Sequence, residues 1–353
     1  MDVLVLGGGY GGLTLARRLL RGPAVAAGDL TLVDRLPFHT VKTELYRLAA
    51  GSAAAEDVTL PFPHAVYLHF RQGTVERLEA ATRTAWVDGR PLQPEVLVLA
   101  LGSEVQTFGV PGVTQHALSL EGYPEAVAVR ARIASLPARA RVVIAGAGLT
   151  GVELAAEVRQ CRPELEVVVL EAAAAPVPAF PEHIRDYVRE TLLHAGADVR
   201  CGEGVAEVRA AAVVTSAGAE LASDLTVWAA GVRPRAVIRE AGLRLGRGER
   251  VVVDAAGNAD GFPGILVVGD AALAPYPPSA QLAKRQGAIA AAAVAARVLD
   301  RPFVPAPVRL SGVVAALGTR EGFSTLFRRD LVGGPARQLK TLVEWLYRWQ
   351  ARP

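Results

Sequence analysis

The sequence predicts an α/β fold, and the prediction rests on one pattern that occurs twice in the 353 residues. Val3 to Leu6 reads as a short buried strand, followed by Gly7-Gly8-Gly9-Tyr10-Gly11-Gly12 and the helical run Leu13 to Leu20. The same order returns as strand Arg141 to Ala145, turn Gly146-Ala147-Gly148-Leu149-Thr150-Gly151 and helix Val152 to Arg159. Each copy leads to a second strand ending in an acid. Leu30 to Val33 closes on Asp34, 22 residues after Gly12, and Glu166 to Leu170 closes on Glu171, 20 residues after Gly151. Uniformly apolar strands that feed glycine turns and helices indicate parallel sheets covered on both faces.

Each glycine pattern is a GxGxxG in the strand–turn–helix setting that gives it physical meaning. Gly7 permits the tight turn, Gly9 lets backbone approach a diphosphate, and Gly12 lets the helix pack closely on the strand. The helix N-terminus then faces the anion, and the acid at the end of the second strand can accept hydrogen bonds from a ribose hydroxyl. Two Rossmann-like dinucleotide-binding units are therefore expected. Glu171 favours a 2′-hydroxyl over a 2′-phosphate, and so NADH over NADPH.

Composition narrows the remaining classes. No apolar run reaches the roughly 18 residues of a spanning helix; the most apolar stretch, Ala288 to Leu299, is alanine-rich and contains Arg297. The chain enters its first strand at Val3 without the basic and long apolar regions of a secretory signal, which predicts a cytoplasmic protein. A net charge of +3 gives no general basic excess for nucleic acid. The two cysteines, Cys161 and Cys201, form no CxxC and argue against a disulfide framework, a zinc ribbon or a dithiol centre. The six histidines have no metal-ligand spacing, so no metal site is expected.

Further segments resemble, in order, those of the type II NADH dehydrogenases, the single-subunit NADH:quinone oxidoreductases. Asp34-Arg35-Leu36-Pro37-Phe38-His39 through Glu44-Leu45-Tyr46 to Ala49-Ala50-Gly51 is similar to the family's first acidic strand and the loop after it. Val96 to Ser103 with Val110-Pro111-Gly112 resembles the exit from its first FAD segment, and Gly146 to Ala155 its Gly-x-Gly-x-Thr-Gly-Val-Glu-Leu-Ala segment. Trp228 to Pro234 resembles its Trp-Thr-Ala-Gly-Val-Arg turn, Val267 to Ala272 its late FAD motif, and Ala280 to Ala283 with Gln286-Gly287 the segment beneath the flavin that borders the quinone site.

The resemblance implies two dinucleotide domains of three-layer ββα type, the NADH domain inserted in the FAD domain. The expected division is residues 1–112 and 248–305 for FAD, 113–247 for NADH, and 306–353 as a C-terminal acceptor-side segment. It also implies the site residues. Gly7, Gly9, Tyr10, Gly11, Gly12, Asp34, Arg35, Val75, Ala100, Gly102, Gly269, Asp270, Leu282 and Ala283 would hold FAD. Gly146, Gly148, Leu149, Thr150, Gly151, Glu171, Ala230 and Gly231 would hold NADH. Glu153, Gln281 and Lys42 are the candidates for catalytic roles near the nicotinamide, the flavin and the acceptor. Relatives that use cysteine pairs beside the flavin are excluded, because Leu36 to Gly51 contains no cysteine.

On a helix, Ala336 to Gln350 places Leu339, Leu342, Val343, Trp345, Leu346, Tyr347 and Trp349 on one face, with Arg337, Lys340, Thr341, Glu344 and Arg348 on the other. Interfacial tryptophans beside arginines suit peripheral contact with the inner face of the cell membrane. The same pattern would serve a helix packed on its own body or on a second copy in a homodimer. From Arg328 onward six basic and two acidic residues give +4, leaving −1 for the rest. The leading expectation is hydride transfer from NADH to FAD and then two electrons to a quinone, without proton pumping. Two alternatives stay open: a soluble NAD(P)H-dependent reductase for an iron–sulfur or other soluble acceptor, and a nucleotide-sensing flavoprotein with a protein partner.

Overall fold

The computed structural model describes residues 1–22, 29–326 and 329–351. Arg328 and Arg352, counted above in the basic tail, lie outside the described residues. Val3–Leu6 is completely buried and sits between two parallel neighbours, pairing Val3 with Leu30 on one side and Val3 with Val96 on the other. Burial on both faces explains why it carries no polar residue. The sheet built around it has six strands in the order Asn258–Ala259, Phe262–Val267, Val96–Leu99, Val3–Leu6, Leu30–Asp34, Leu68–Gln72. Two of these strands thus come from residues beyond 257, after the chain has made a second sheet.

That second sheet has five parallel strands ordered Ala117–Ser119, Leu225–Trp228, Arg141–Ala145, Glu166–Glu171, Ala197–Cys201. In each sheet the strand before the glycine turn is central, with the chain crossing to opposite sides of it. Such a reversal of strand order opens a crevice at the carboxyl ends of the strands. A three-stranded antiparallel sheet follows the same plan in both lobes: Val75–Glu79, Thr84–Val87, Arg90–Leu92 in the first and Val205–Val208, Ala212–Thr215, Glu220–Ala222 in the second. Short strands Ser103–Val105 and Val232–Pro234 pair antiparallel and join the lobes.

Helix Tyr10–Leu20 packs against helix Ala280–Val298, and Gly287 makes the approach possible: a Cβ there would lie 2.2 Å from the Gly11 carbonyl oxygen. Ser279 caps the second of these helices, its hydroxyl accepting the Leu282 N–H at 3.1 Å. Among the described residues no helix is long and apolar enough to cross a membrane.

The C-terminal segment is richer than the helical segment expected. A three-stranded antiparallel sheet, Val314–Leu317, Glu321–Ser324 and Leu331–Val332, precedes helix Gly334–Gln350. Ala315, Ala316, Leu317 and the fully buried Phe323 join the core of the second lobe, where Phe323 meets Phe180 edge-on at 5.1 Å. The helix is also rotated relative to its simple amphipathic reading. Lys340, assigned to the solvent side, is only 3% exposed, whereas Leu342, Trp345, Leu346 and Trp349 face outward. The reason is electrostatic: buried carboxylates on the body of the protein receive the lysine.

Candidate dinucleotide sites

Both glycine turns are built on the same two close contacts. Gly7 and Gly146 have φ of +103° and +102°, and a Cβ on them would strike the backbone of Ala100 at 2.3 Å and of Ala230 at 2.7 Å. At Gly12 and Gly151 a Cβ would come within 1.9 Å of the carbonyl oxygens of Gly7 and Gly146. The middle glycines differ: around Gly9 and Gly148 a Cβ would meet nothing within 4 Å. Their missing side chains leave open space at the helix starts, where backbone N–H groups point outward.

This contrast makes a clean test. With NADH expected at this turn, Gly148→Ala should lose only about 1 kcal/mol or less from the helix N-cap, since φ is ordinary and no atom is displaced, yet weaken NADH binding by tenfold or more. Thermal melting and an NADH titration would separate the two effects, and unchanged NADH affinity would remove Gly148 from the site.

The acids at the strand ends brace these turns. Asp34 accepts the N–H groups of Gly8 at 2.6 Å and Leu36 at 2.9 Å; Glu171 accepts those of Ala147 at 2.7 Å and Ala173 at 2.8 Å. Burial raises the pKa of Asp34, opposed by these two donors and by the positive charges of Arg35 and Arg235. Each carboxylate keeps lone pairs for a further donor.

In front of the first turn is a cleft with about 940 Å³ of empty space. Gly7, Gly9, Tyr10, Asp34, Arg35, Lys42, Val75, Ala100 and Gly102 line it, together with Ser103, Glu121 and Arg235, which sequence reasoning did not single out as site residues. Gly11 and Gly12 lie behind it in the helix contacts. Lys42 pairs with Glu121 at 3.3 Å, and the Ser103 hydroxyl donates to Asp270 at 2.9 Å, which ties the late Gly269-Asp270 turn to the cleft rim. Gln286 accepts the Gly269 N–H at 2.8 Å and fixes that turn, whereas Gln281 accepts the Ser311 N–H at 2.8 Å. Leu282 and Ala283 are buried, and Ala283 lies against Gly11 and Gly269. In the second lobe Leu149 and Thr150 open helix Leu149–Cys161, and Ala230 and Gly231 follow the strand against which Gly146 turns.

Glu153 is placed elsewhere, beneath the C-terminal helix. It is 7% exposed, accepts the Ala316 N–H at 3.1 Å and lies 3.6 Å from the Lys340 ammonium. Burial raises its pKa from 4.5 to about 7, against the pull of Lys340 and the Ala316 N–H. Lys340 also meets Glu344 at 3.2 Å, Glu44 at 3.6 Å and the Thr43 carbonyl at 3.3 Å. Next to this knot, fully buried His39 connects the Gly8 carbonyl (Nδ1, 2.8 Å) to the Tyr347 hydroxyl (Nε2, 2.7 Å), and burial lowers its pKa to about 4. Burial likewise raises both cysteine thiols, so neither is poised as a thiolate.

Known proteins fit this geometry. The pyridine nucleotide-disulphide oxidoreductase family model matches residues 1–287, a span that takes in both glycine turns and the Gly269-Asp270 turn. The chain belongs to this family. It is 30% identical over 98% of its length, and 98% of the relative, to the NADH dehydrogenase-like protein YutJ of Bacillus subtilis. A type II NADH:quinone oxidoreductase of Staphylococcus saprophyticus is 26% identical over 97% of this chain and 94% of its own. The fold matches that of NDH2 from Plasmodium falciparum, solved in complex with NADH, with a TM-score of 0.84 over 99% of this chain and 96% of that one at 16% identity. The molecule is a flavin-dependent pyridine-nucleotide oxidoreductase.

Proposed function

We propose that this oxidoreductase is an FAD-dependent NADH dehydrogenase that passes two electrons to a quinone at a membrane surface, without pumping protons. The observation that carries the reading is the duplicated turn: Gly9 and Gly148 both leave backbone N–H groups open beside a braced acid. Residues 1–112 and 248–305 would hold FAD, residues 113–247 NADH, and residues 306–353 would serve the acceptor side. These residues fit the two ligands, since each open turn offers a helix N-terminus to a diphosphate and a carboxylate to a ribose. Bound there, FAD would supply the redox chemistry between NADH and the acceptor.

The chain's own groups orient and insulate. Asp34 and Glu171 would take the ribose hydroxyls of FAD and NADH. Ser103 holds Asp270 at the cleft rim, where it would meet FAD, and the same hydroxyl lies 3.4 Å from Glu121, which pairs with Lys42 beside it. Glu153, with its pKa near neutrality, can hold a proton close to the acceptor side.

The membrane reading rests on the outer face of the C-terminal helix. Trp345 and Trp349 are 58% and 62% exposed and lie one helical turn apart beside exposed Leu342 and Leu346. The quinone reading is supported by the type II NADH:quinone oxidoreductase of Staphylococcus saprophyticus, which matches nearly the full chain.

The test is anaerobic. NADH should bleach the yellow protein, and a short-chain quinone should restore its colour; bleaching without reoxidation by quinone would overturn the quinone assignment. Exchanging Trp345 and Trp349 for glutamine should abolish sedimentation with anionic liposomes while leaving NADH bleaching unchanged. Point changes suit this better than removing the helix, because removal would also withdraw Lys340 from its carboxylates.

A further inference from the structure

Three arginines occur within seven residues as the chain leaves the second lobe: Arg233, Arg235 and Arg239. Two are neutralised. Arg233 reaches Glu104 at 3.0 Å, and Arg239 reaches Glu104 at 2.9 Å and Glu249 at 3.2 Å. Arg235 is spent differently. Its Nε donates to the Leu101 carbonyl at 2.9 Å, and its side chain forms part of the wall of the first cleft with Asp34 and Arg35. It makes no ion pair with any carboxylate among the described residues. Burial and the neighbouring Arg35 charge push its pKa down, while Glu125, Glu104 and Asp34 act on it only from a distance. A guanidinium held partly out of water without a paired anion is a standing cost, relieved when an anion binds.

We propose that Arg235 is an anion-binding residue of the first cleft that takes the diphosphate of FAD. The Leu101 carbonyl fixes the guanidinium through Nε, which leaves the two Nη groups as a fork suited to phosphate oxygens. The open backbone at Gly9 and the start of helix Tyr10–Leu20 bring a diphosphate into the same cleft. The residue lies outside both glycine fingerprints and comes from the other lobe. The strand just before it, Val232–Pro234, pairs with Ser103–Val105, so bound FAD would also hold the exit of the second lobe against the first. The proposal rests on the FAD part of the proposed function and is independent of the quinone.

The experiment titrates flavin-free protein with FAD, and separately with ADP, following flavin fluorescence and melting temperature. Arg235→Gln should weaken both ligands by tenfold or more and flatten the loss of FAD affinity with added salt; Arg235→Lys should recover part of the affinity. NADH affinity should not change. An R235Q protein that binds FAD within twofold of the parent would overturn the proposal, leaving Arg235 as a brace for the Leu101 turn. If R235Q does not fold, R235K decides: lysine keeps the charge but loses the fork, so severalfold weaker binding is expected and parental affinity overturns the proposal. A parent protein without FAD affinity would sink both this residue's role and the flavin reading. A parent that binds FAD but ignores quinone would sink only the quinone reading.

Discussion

Lys340→Met should destabilise the folded protein by about 3–5 kcal/mol at pH 8, the range for removing one partner of a buried ion pair. The Lys340 ammonium lies between Glu344 at 3.2 Å and Glu44 and Glu153, both at 3.6 Å, and donates to the Thr43 carbonyl at 3.3 Å. Methionine keeps the length and apolar stem, so the loss comes from charge and not from a cavity. Without the cation, Glu44 keeps Arg47 at 2.9 Å, but Glu153 and Glu344 lose their closest ammonium and must take up protons to stay folded. The deficit should therefore shrink at pH 5, where protonation is cheap. The lysine also joins the C-terminal helix to the loop at Thr43 and to helix Leu149–Cys161, so the first consequence should be release of the C-terminal helix. Urea unfolding at the two pH values and proteolysis of the C-terminal segment would follow both effects. A deficit below about 1 kcal/mol at pH 8 would place the contact with ordinary surface pairs and refute its role as the anchor.

The fate of Lys340 shows where sequence reasoning stops. The two nucleotide folds are legible because their signals are local: an apolar strand, a turn whose first and last glycines are demanded by backbone contacts, and an acid about 20 residues on. Strands Val3–Leu6 and Arg141–Ala145 run as the pattern predicts. The inward lysine is illegible to a helical wheel, which sends charge to solvent and cannot know that Glu44 and Glu153 wait beneath. Hints existed, since Glu44 precedes a largely apolar stretch and Glu153 stands within Val152-Glu153-Leu154-Ala155-Ala156, where a carboxylate must be partnered or protonated. Strands Val314–Leu317 and Glu321–Ser324 are short, mixed with alanine and glycine, and acquire their burial from the second lobe. Arg235 and Glu121 reach the first cleft across the lobe boundary, a proximity that no spacing along the chain encodes.

Relative to the parent, Glu153→Gln should gain about 2 kcal/mol of stability as pH rises from 4.5 to 6.5. Two buried groups oppose each other in this window. Glu153, raised from 4.5 to about 7, holds a proton in the folded state that the unfolded chain releases, so its contribution falls as pH rises from 4.5 to 7. His39, lowered from 6.5 to about 4, is neutral when folded while the unfolded chain still binds a proton, so its contribution rises from pH 4 to 6.5. Each slope is about 1.4 kcal/mol per pH unit and the signs are opposite. The charges facing Glu153 are Lys340, Glu44 and Glu344; those acting on His39 are Arg17 and Lys284. Glutamine preserves the acceptor for the Ala316 N–H and imitates the protonated acid, so it removes one slope and exposes the other. Changing His39 to phenylalanine should do the reverse, giving a protein that loses stability toward neutral pH relative to the parent, and the double variant should again run parallel to the parent. Urea midpoints at half-unit steps of pH would resolve all four profiles. An E153Q profile parallel to the parent's across this window would refute proton retention at Glu153, and with it the use of that proton on the acceptor side.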